Sequence, residues 1–178
     1  MNQEIPFTYI VYHKPKMVVC TTEKIEGNII DAINHSINLL PIGRLDKDSE
    51  GLILLTNDKK IINKIIHPSF EHEKEYEVTL NLPLRNEFIK RLENGVNIGD
   101  AITKPTIVKR VPNTKRVFKI ILKQGLNRQI RRMCAVFGYQ IIKLKRIRIM
   151  NIHLEDLKPN EWRNLTEEEL KELLVVLN

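Results

Sequence analysis

Lys74-Glu75-Tyr76-Glu77-Val78-Thr79-Leu80 alternates without a break, with Tyr76, Val78 and Leu80 in one phase and charged or polar residues in the other. A period of two over seven residues describes a strand buried on one face only. Phe7–Tyr12, residues 51–56, about 106–111 and 117–123 are also predicted as strands from their β-branched and aromatic content. Helical spacing marks Ile29, Ile30, Ile33 and Ile37 before Pro41, then Ile61, Ile62, Ile65 and Ile66 before Pro68, then Phe88, Leu92 and Val96 around Gly95. These elements follow no β-α-β rhythm, and several strand pairs have short connections. The pattern favours an α+β fold, a largely antiparallel mixed sheet flanked by helices, over a doubly wound parallel sheet. With 178 residues the chain can build one sizeable core, and a single domain over 5–178 is expected.

Two further signals refine this outline. In 140–152 the apolar residues change phase, with Ile142 and Leu144 in one and Ile147 and Ile149 in the other, which predicts a bulge near Lys145-Arg146. Thr166 and Glu169 have capping-box spacing, with Leu165 and Leu170 as the staple, so a helix starts there and buries Leu170, Leu173, Leu174 and Leu177.

Charge narrows the function. From Ala101 to Leu154 there are fourteen Lys and Arg and no Asp or Glu, so this block is +14 while the rest of the chain is −7. Uncompensated repulsion of that size points to a polyanion, with nucleic acid as the leading partner; the plainer alternative is a solvated basic face. No apolar run reaches the roughly 20 residues of a bilayer span, and the first residues lack a secretory pattern. Cys20 and Cys134 form no C-x-x-C, and the five histidines show no ligand spacing. No metal site and no membrane partner are expected, and a cytoplasmic location is.

Two segments carry the chemistry. Gly43-Arg44-Leu45-Asp46-Lys47-Asp48-Ser49-Glu50-Gly51 packs charge between two glycines directly before the apolar run Leu52–Leu55. Such a loop either displays reactive groups on a rigid scaffold or is a solvated turn. Arg44 and Lys47 beside Asp46 favour an ionised carboxylate. Gly125-Leu126-Asn127-Arg128-Gln129-Ile130-Arg131-Arg132-Met133 reads as a helix over 127–137 capped by Asn127, with Gly138 as its stop. Cations in the first turns oppose the macrodipole by about 0.3–1 kcal/mol each, and Arg128 with Arg132 is a like-charged i,i+4 pair. A bound phosphate or carboxylate would offset that cost; the alternative is a tolerant surface helix. Tyr76 is either a core tyrosine or a ring that stacks on a base.

Taken in order, Arg44-Leu45-Asp46, Lys74-Glu75-Tyr76 and the Gly125–Met133 segment resemble the pseudouridine synthases of the RsuA/RluB/RluE/RluF type, from about Phe7 to Leu170. His72–Tyr76, Phe137-Gly138-Tyr139, Arg148–Asn151 and Glu161–Thr166 look most like the RluF-type branch, which acts on large-subunit rRNA. The resemblance implies that family's catalytic fold, with a central RNA-binding cleft, and a cofactor-free isomerisation of uridine to pseudouridine by base flipping. It implies that Asp46 is the catalytic aspartate, acting either on the base or through a glycal route. Arg131 matches the basic residue that pairs with it, and Tyr76 the tyrosine that stacks on the uracil. Leu122 matches the aliphatic residue packed against the base, and Arg44 the residue that fills the gap left by the flipped nucleotide. Asn127, Arg128, Gln129, Arg132, Lys143, Lys145, Arg146 and Arg148 are expected to contact RNA. The expected partner is 23S rRNA or a pre-ribosomal particle, with tRNA as a further candidate, and the protein is expected to be a monomer. Many relatives carry an S4-type RNA-binding module before the catalytic domain; here the first catalytic strand starts almost at Met1, so none is expected. Two other readings are a non-catalytic RNA-binding or ribosome-assembly protein on the same scaffold, and a metal-dependent nuclease using Asp46, Asp48 and Glu50.

Overall fold

A computed structural model describes residues 6–177. In chain order the elements are β1 (Tyr9–Lys14), α1 (Ile29–Ile33), β2 (Leu40–Ile42), β3 (Glu50–Thr56), α2 (Lys59–Ile66), β4 (Lys74–Leu80) and α3 (Asn86–Glu93). They continue with β5 (Ile107–Arg110), β6 (Val117–Leu122), α4 (Gln129–Val136), β7 (Ile141–Ile149), β8 (Ile152–His153), β9 (Trp162–Asn164) and α5 (Glu167–Leu177). The chain divides into two compact units, one spanning Glu71–Met150 and the other built from the segments on either side of it.

In the flanking unit the strands run β2-β3-β1-β9, every pair antiparallel. Ile10 to Lys14 of β1 and Gly51 to Thr56 of β3 are buried residue after residue, so both faces of these strands are covered. That explains why they read in sequence as apolar runs rather than alternations. Lys14 has no exposed surface, and its Nζ donates to the carbonyls of Pro15 and Val18, both at 2.9 Å. Asp58 starts α2: its Oδ1 accepts from Lys60 N–H at 3.0 Å and its Oδ2 from the Tyr9 hydroxyl at 2.8 Å. Burial and this bond push the Tyr9 phenol up to about 12. The capping box at Thr166 and Glu169 forms in both directions, and Arg163 grips the Glu169 carboxylate through two 2.8 Å bonds.

In the Glu71–Met150 unit the order is β5-β6-β4-β7, again antiparallel throughout. Val78, Leu80, Phe118, Ile120, Leu122 and Leu144 form the inner face, closed by Phe88 and Leu92 of α3 and Ile130, Met133 and Cys134 of α4. Gly95 has φ +91°, and a Cβ there would strike the Thr103 carbonyl oxygen. Only glycine fits where α3 turns back.

Several expected boundaries move. β1 starts two residues later than Phe7, because Thr8 spends its N–H on Asn57 Oδ1 and its carbonyl on Thr56 Oγ1. α1 is five residues long and ends at Asn34 in the left-handed region, so Ile37 lies outside it. The bulge falls at Ile147, between the pairs Glu75–Arg148 and Tyr76–Arg146, one residue beyond the expected position. A second shift at Ile142 takes that side chain out of phase with buried Leu144 and leaves it 59% exposed.

Candidate active site

The hairpin β2–β3 presents Asp46 on the connecting loop 43–49. Gly43 leaves β2 at φ +80°, a turn that glycine makes without a Cβ penalty. Leu45 is buried, and its N–H donates to Cys20 Sγ at 3.3 Å. The Asp46 carbonyl accepts from Ser49 N–H at 3.0 Å, and the Lys47 carbonyl from Met17 N–H at 2.8 Å. Three successive residues are thus held through their main chain, by a thiol and two amides. The Asp46 side chain stands half-buried between the buried Leu45 and the exposed Lys47, with Arg44 exposed before it. A loop fixed through its backbone sets where the Asp46 Cα lies and so what its carboxylate can reach.

In the other unit, α4 does not begin at Asn127. Its first residue is Gln129, its N-cap is Arg128 in the left-handed region (φ 48°), and no side chain caps it. Gln129 supplies the missing closure: its Oε1 accepts from Leu126 N–H at 3.0 Å and its Nε2 donates to Gln124 Oε1 at 3.1 Å. The same Gln124 oxygen takes Lys104 N–H at 2.8 Å. Gln129, expected at the RNA, is a buried staple that shapes loop 124–128. Arg132 has a protein partner as well: it donates to the Ile98 carbonyl at 2.9 Å and pairs with Asp100, whose carboxyl it pulls below the usual range. The carboxylate that offsets Arg132 therefore comes from the chain itself. Asn127 and Arg128 are exposed, and Arg131 is half-buried on the first turn of α4.

The strand registers sort the remaining candidates by face. Tyr76 shares the inner face with Val78 and Leu80 and lies opposite Arg146, which is buried; Leu122 is opposite Lys74, two residues before Tyr76. Tyr76, Leu122 and Arg146 thus gather at one end of the inner face. Lys143, Lys145 and Arg148 are opposite Thr79, Glu77 and Glu75, on the outer face. Arg148 is already engaged by Glu75 at 2.8 Å and Glu73 at 3.1 Å. Lys74 joins the inner group although sequence reasoning did not single it out. Burial, helped by the Arg146 guanidinium, lowers its pKa from the ordinary lysine value, an environment typical of functional lysines. Its place two residues before Tyr76 in an alternating strand was the available signal.

A profile of the RNA pseudouridylate synthase family matches residues 8–136, a span that includes Asp46, Tyr76 and Arg131. This chain belongs to that family. Dual-specificity RNA pseudouridine synthase RluF from Salmonella typhi and from Escherichia coli (strain K12) are each 50% identical over 169 residues, 94% of this chain and 58% of theirs. The chain therefore spans a little over half the length of these curated relatives. Ribosomal large subunit pseudouridine synthase B of Bacillus subtilis (strain 168) is 33% identical over 180 residues, covering 97% of this chain and 73% of that one. A crystal structure of pseudouridylate synthase superposes with a TM-score of 0.86 at 28% identity, covering 94% of this chain and 74% of that one. The α+β architecture is the pseudouridine synthase fold.

Proposed function

We propose that this protein isomerises a specific uridine of ribosomal RNA to pseudouridine. The reaction breaks the bond from ribose C1′ to uracil N1, joins C1′ to C5, releases the C5 proton to solvent and places a proton from solvent on N1. It is redox-neutral and neither adds nor removes a heavy atom, so it calls for no co-reactant. The observation that carries this reading is Asp46, a half-buried carboxylate on a loop whose main chain is fixed at Leu45, Asp46 and Lys47.

Asp46 acts as the nucleophile or base, on the uracil ring or by way of the ribose. Tyr76 stacks on the uracil and Leu122 packs against it, and Arg131 serves as the catalytic cation. Arg44, exposed one residue before Leu45, fills the gap in the RNA stack. Asn127 and Arg128, both exposed, contact the backbone. Large-subunit rRNA is the proposed substrate, in keeping with a relative named for the large ribosomal subunit. A second RNA such as tRNA is in keeping with relatives named as dual-specificity enzymes. The protein acts as a monomer. A scaffold that has lost catalysis is not favoured, since the Asp, Tyr and Arg of the family motifs are all present.

Transcript-wide pseudouridine mapping in cells with the gene, without it, and complemented with Asp46→Asn tests this reading. One or a few 23S rRNA positions should lose pseudouridine on deletion and stay unmodified with the variant. An unchanged map on deletion, or full restoration by Asp46→Asn, would overturn it.

A further inference from the structure

The outer face of the β5-β6-β4-β7 sheet carries an arrangement that the isomerisation does not use. Lys109 of β5 stands directly opposite Lys119 of β6, and the row continues through Glu77 of β4 to Lys145 of β7. Lys143 lies one row further on, opposite Thr79. Like charges directly opposite in an antiparallel pair destabilise it. A lysine on an edge strand has an ordinary reason to be there, since it blocks pairing with another chain. That accounts for Lys109 on β5, but not for Lys119, whose strand is interior to the unit's sheet. Glu75 and Glu73 are taken by Arg148, so within the row Glu77 is the one acidic residue beside Lys109, Lys119 and Lys145. Lys109 to Lys145 covers three inter-strand spacings, about 14 Å. Ile107 and Ile121 form the row beside them.

We propose that this outer face is a second RNA-contact surface, which engages the phosphodiester backbone of the substrate RNA away from the target nucleotide through Lys109, Lys119 and Lys145. The proposal rests on the RNA-modifying reading above and adds a surface on the sheet face opposite Tyr76 and Leu122. Phosphates are the complement the row lacks, and their spacing along a backbone suits cations spread across several strands. Contacts of this kind position the RNA and carry no sequence information. The face therefore contributes affinity for extended RNA and leaves the chemistry of the flipped base untouched.

The test uses the full chain with the double substitution Lys109→Gln, Lys119→Gln, and as control Lys59→Gln, Lys60→Gln, two exposed lysines of α2 in the other unit. Binding is measured by filter retention between 50 and 200 mM salt, with an rRNA fragment carrying flanking helices and with the isolated target stem-loop. The outer-face variant should bind the long fragment about tenfold more weakly, with a log–log salt slope shallower by about 2. Its affinity for the isolated stem-loop and its single-turnover rate at saturating RNA should stay within about twofold of the parent protein, and the control pair should leave the slope unchanged. An unchanged slope in the outer-face variant, or an equal change in the control, would overturn the proposal. A parent protein that forms no pseudouridine yet shows the Lys109- and Lys119-dependent slope would keep the surface and remove the isomerase reading.

Discussion

The loop that carries Asp46 and the loop that leads into α4 are held in different ways. The first is held through its main chain: Cys20 Sγ accepts from Leu45, Ser49 donates to Asp46, and Met17 donates to Lys47. The second is held through side chains, with Gln129 closing 124–128 and Arg132 reaching the Ile98 carbonyl and Asp100. In a backbone-held loop the main-chain bonds at Leu45, Asp46 and Lys47 do not involve the carboxylate, so they survive its replacement. A side-chain-held loop makes the same residues serve shape and contact together. Loss of activity on mutation therefore means different things in the two regions.

The sharpest contrast is expected at Asp46. Asp46→Asn should reduce pseudouridine formation to roughly one-thousandth or less, as loss of a reacting group does. Its melting temperature and RNA affinity should stay near those of the parent protein, because the main-chain bonds at Leu45, Asp46 and Lys47 remain. A clear fall in melting temperature would break the contrast. Gln129→Ala tests the other half. It orphans the partly buried Leu126 N–H and removes the donor to Gln124, at a cost of about 1–3 kcal/mol in thermal or urea unfolding, with turnover falling because the loop loosens. Normal stability in that variant would mean the loop does not depend on its side-chain staple.

A smaller effect is expected at the start of α5, remote in sequence from both loops. Bonds from Arg163 hold the Glu169 carboxyl below its ordinary 4.5; burial opposes them and the Thr166 amide adds to them. A depressed carboxylate contributes stability that is complete above about pH 4.5 and is lost as pH falls through its folded value. Glu169→Gln should lose about 1 kcal/mol at pH 7, and its deficit relative to the parent should narrow in urea melts below pH 4.5. Turnover should not change. The smallest effect is at Met17, which holds φ +75° while 66% exposed and uses only its N–H to support Lys47. Met17→Gly should relieve about 1–2 kcal/mol of left-handed strain against about 0.4–1 kcal/mol of added chain entropy. The net gain is roughly 0.5 kcal/mol with the Asp46 loop intact; a loss of stability would show that the Met17 side chain takes part in the frame.

What could be read from the sequence follows the same division. The strictly alternating β4 was legible because one of its faces is open, and the Thr166–Glu169 box because capping is local. The start of α4 proved less legible, because tertiary bonds intervene. Asn127 looks like a cap by local chemistry, but Gln129 closes the loop through Gln124, and nothing local reports that bond. The cations of α4 pointed to a phosphate or a carboxylate, and Asp100, thirty-two residues before Arg132, answers one of them. Asp46 was legible as a candidate from its charged, glycine-bounded loop, whereas its fixation by Cys20 and Met17 depends on pairings across the fold.

The most direct test of the central claim is release of tritium to water from ribosomal RNA labelled at uracil C5, since the label leaves only when C5 bonds to the ribose. The parent protein should release tritium at a limited number of sites, and Asp46→Asn should release none while still binding the RNA. No release by the parent protein, or release by Asp46→Asn at the parent rate, would contradict the account.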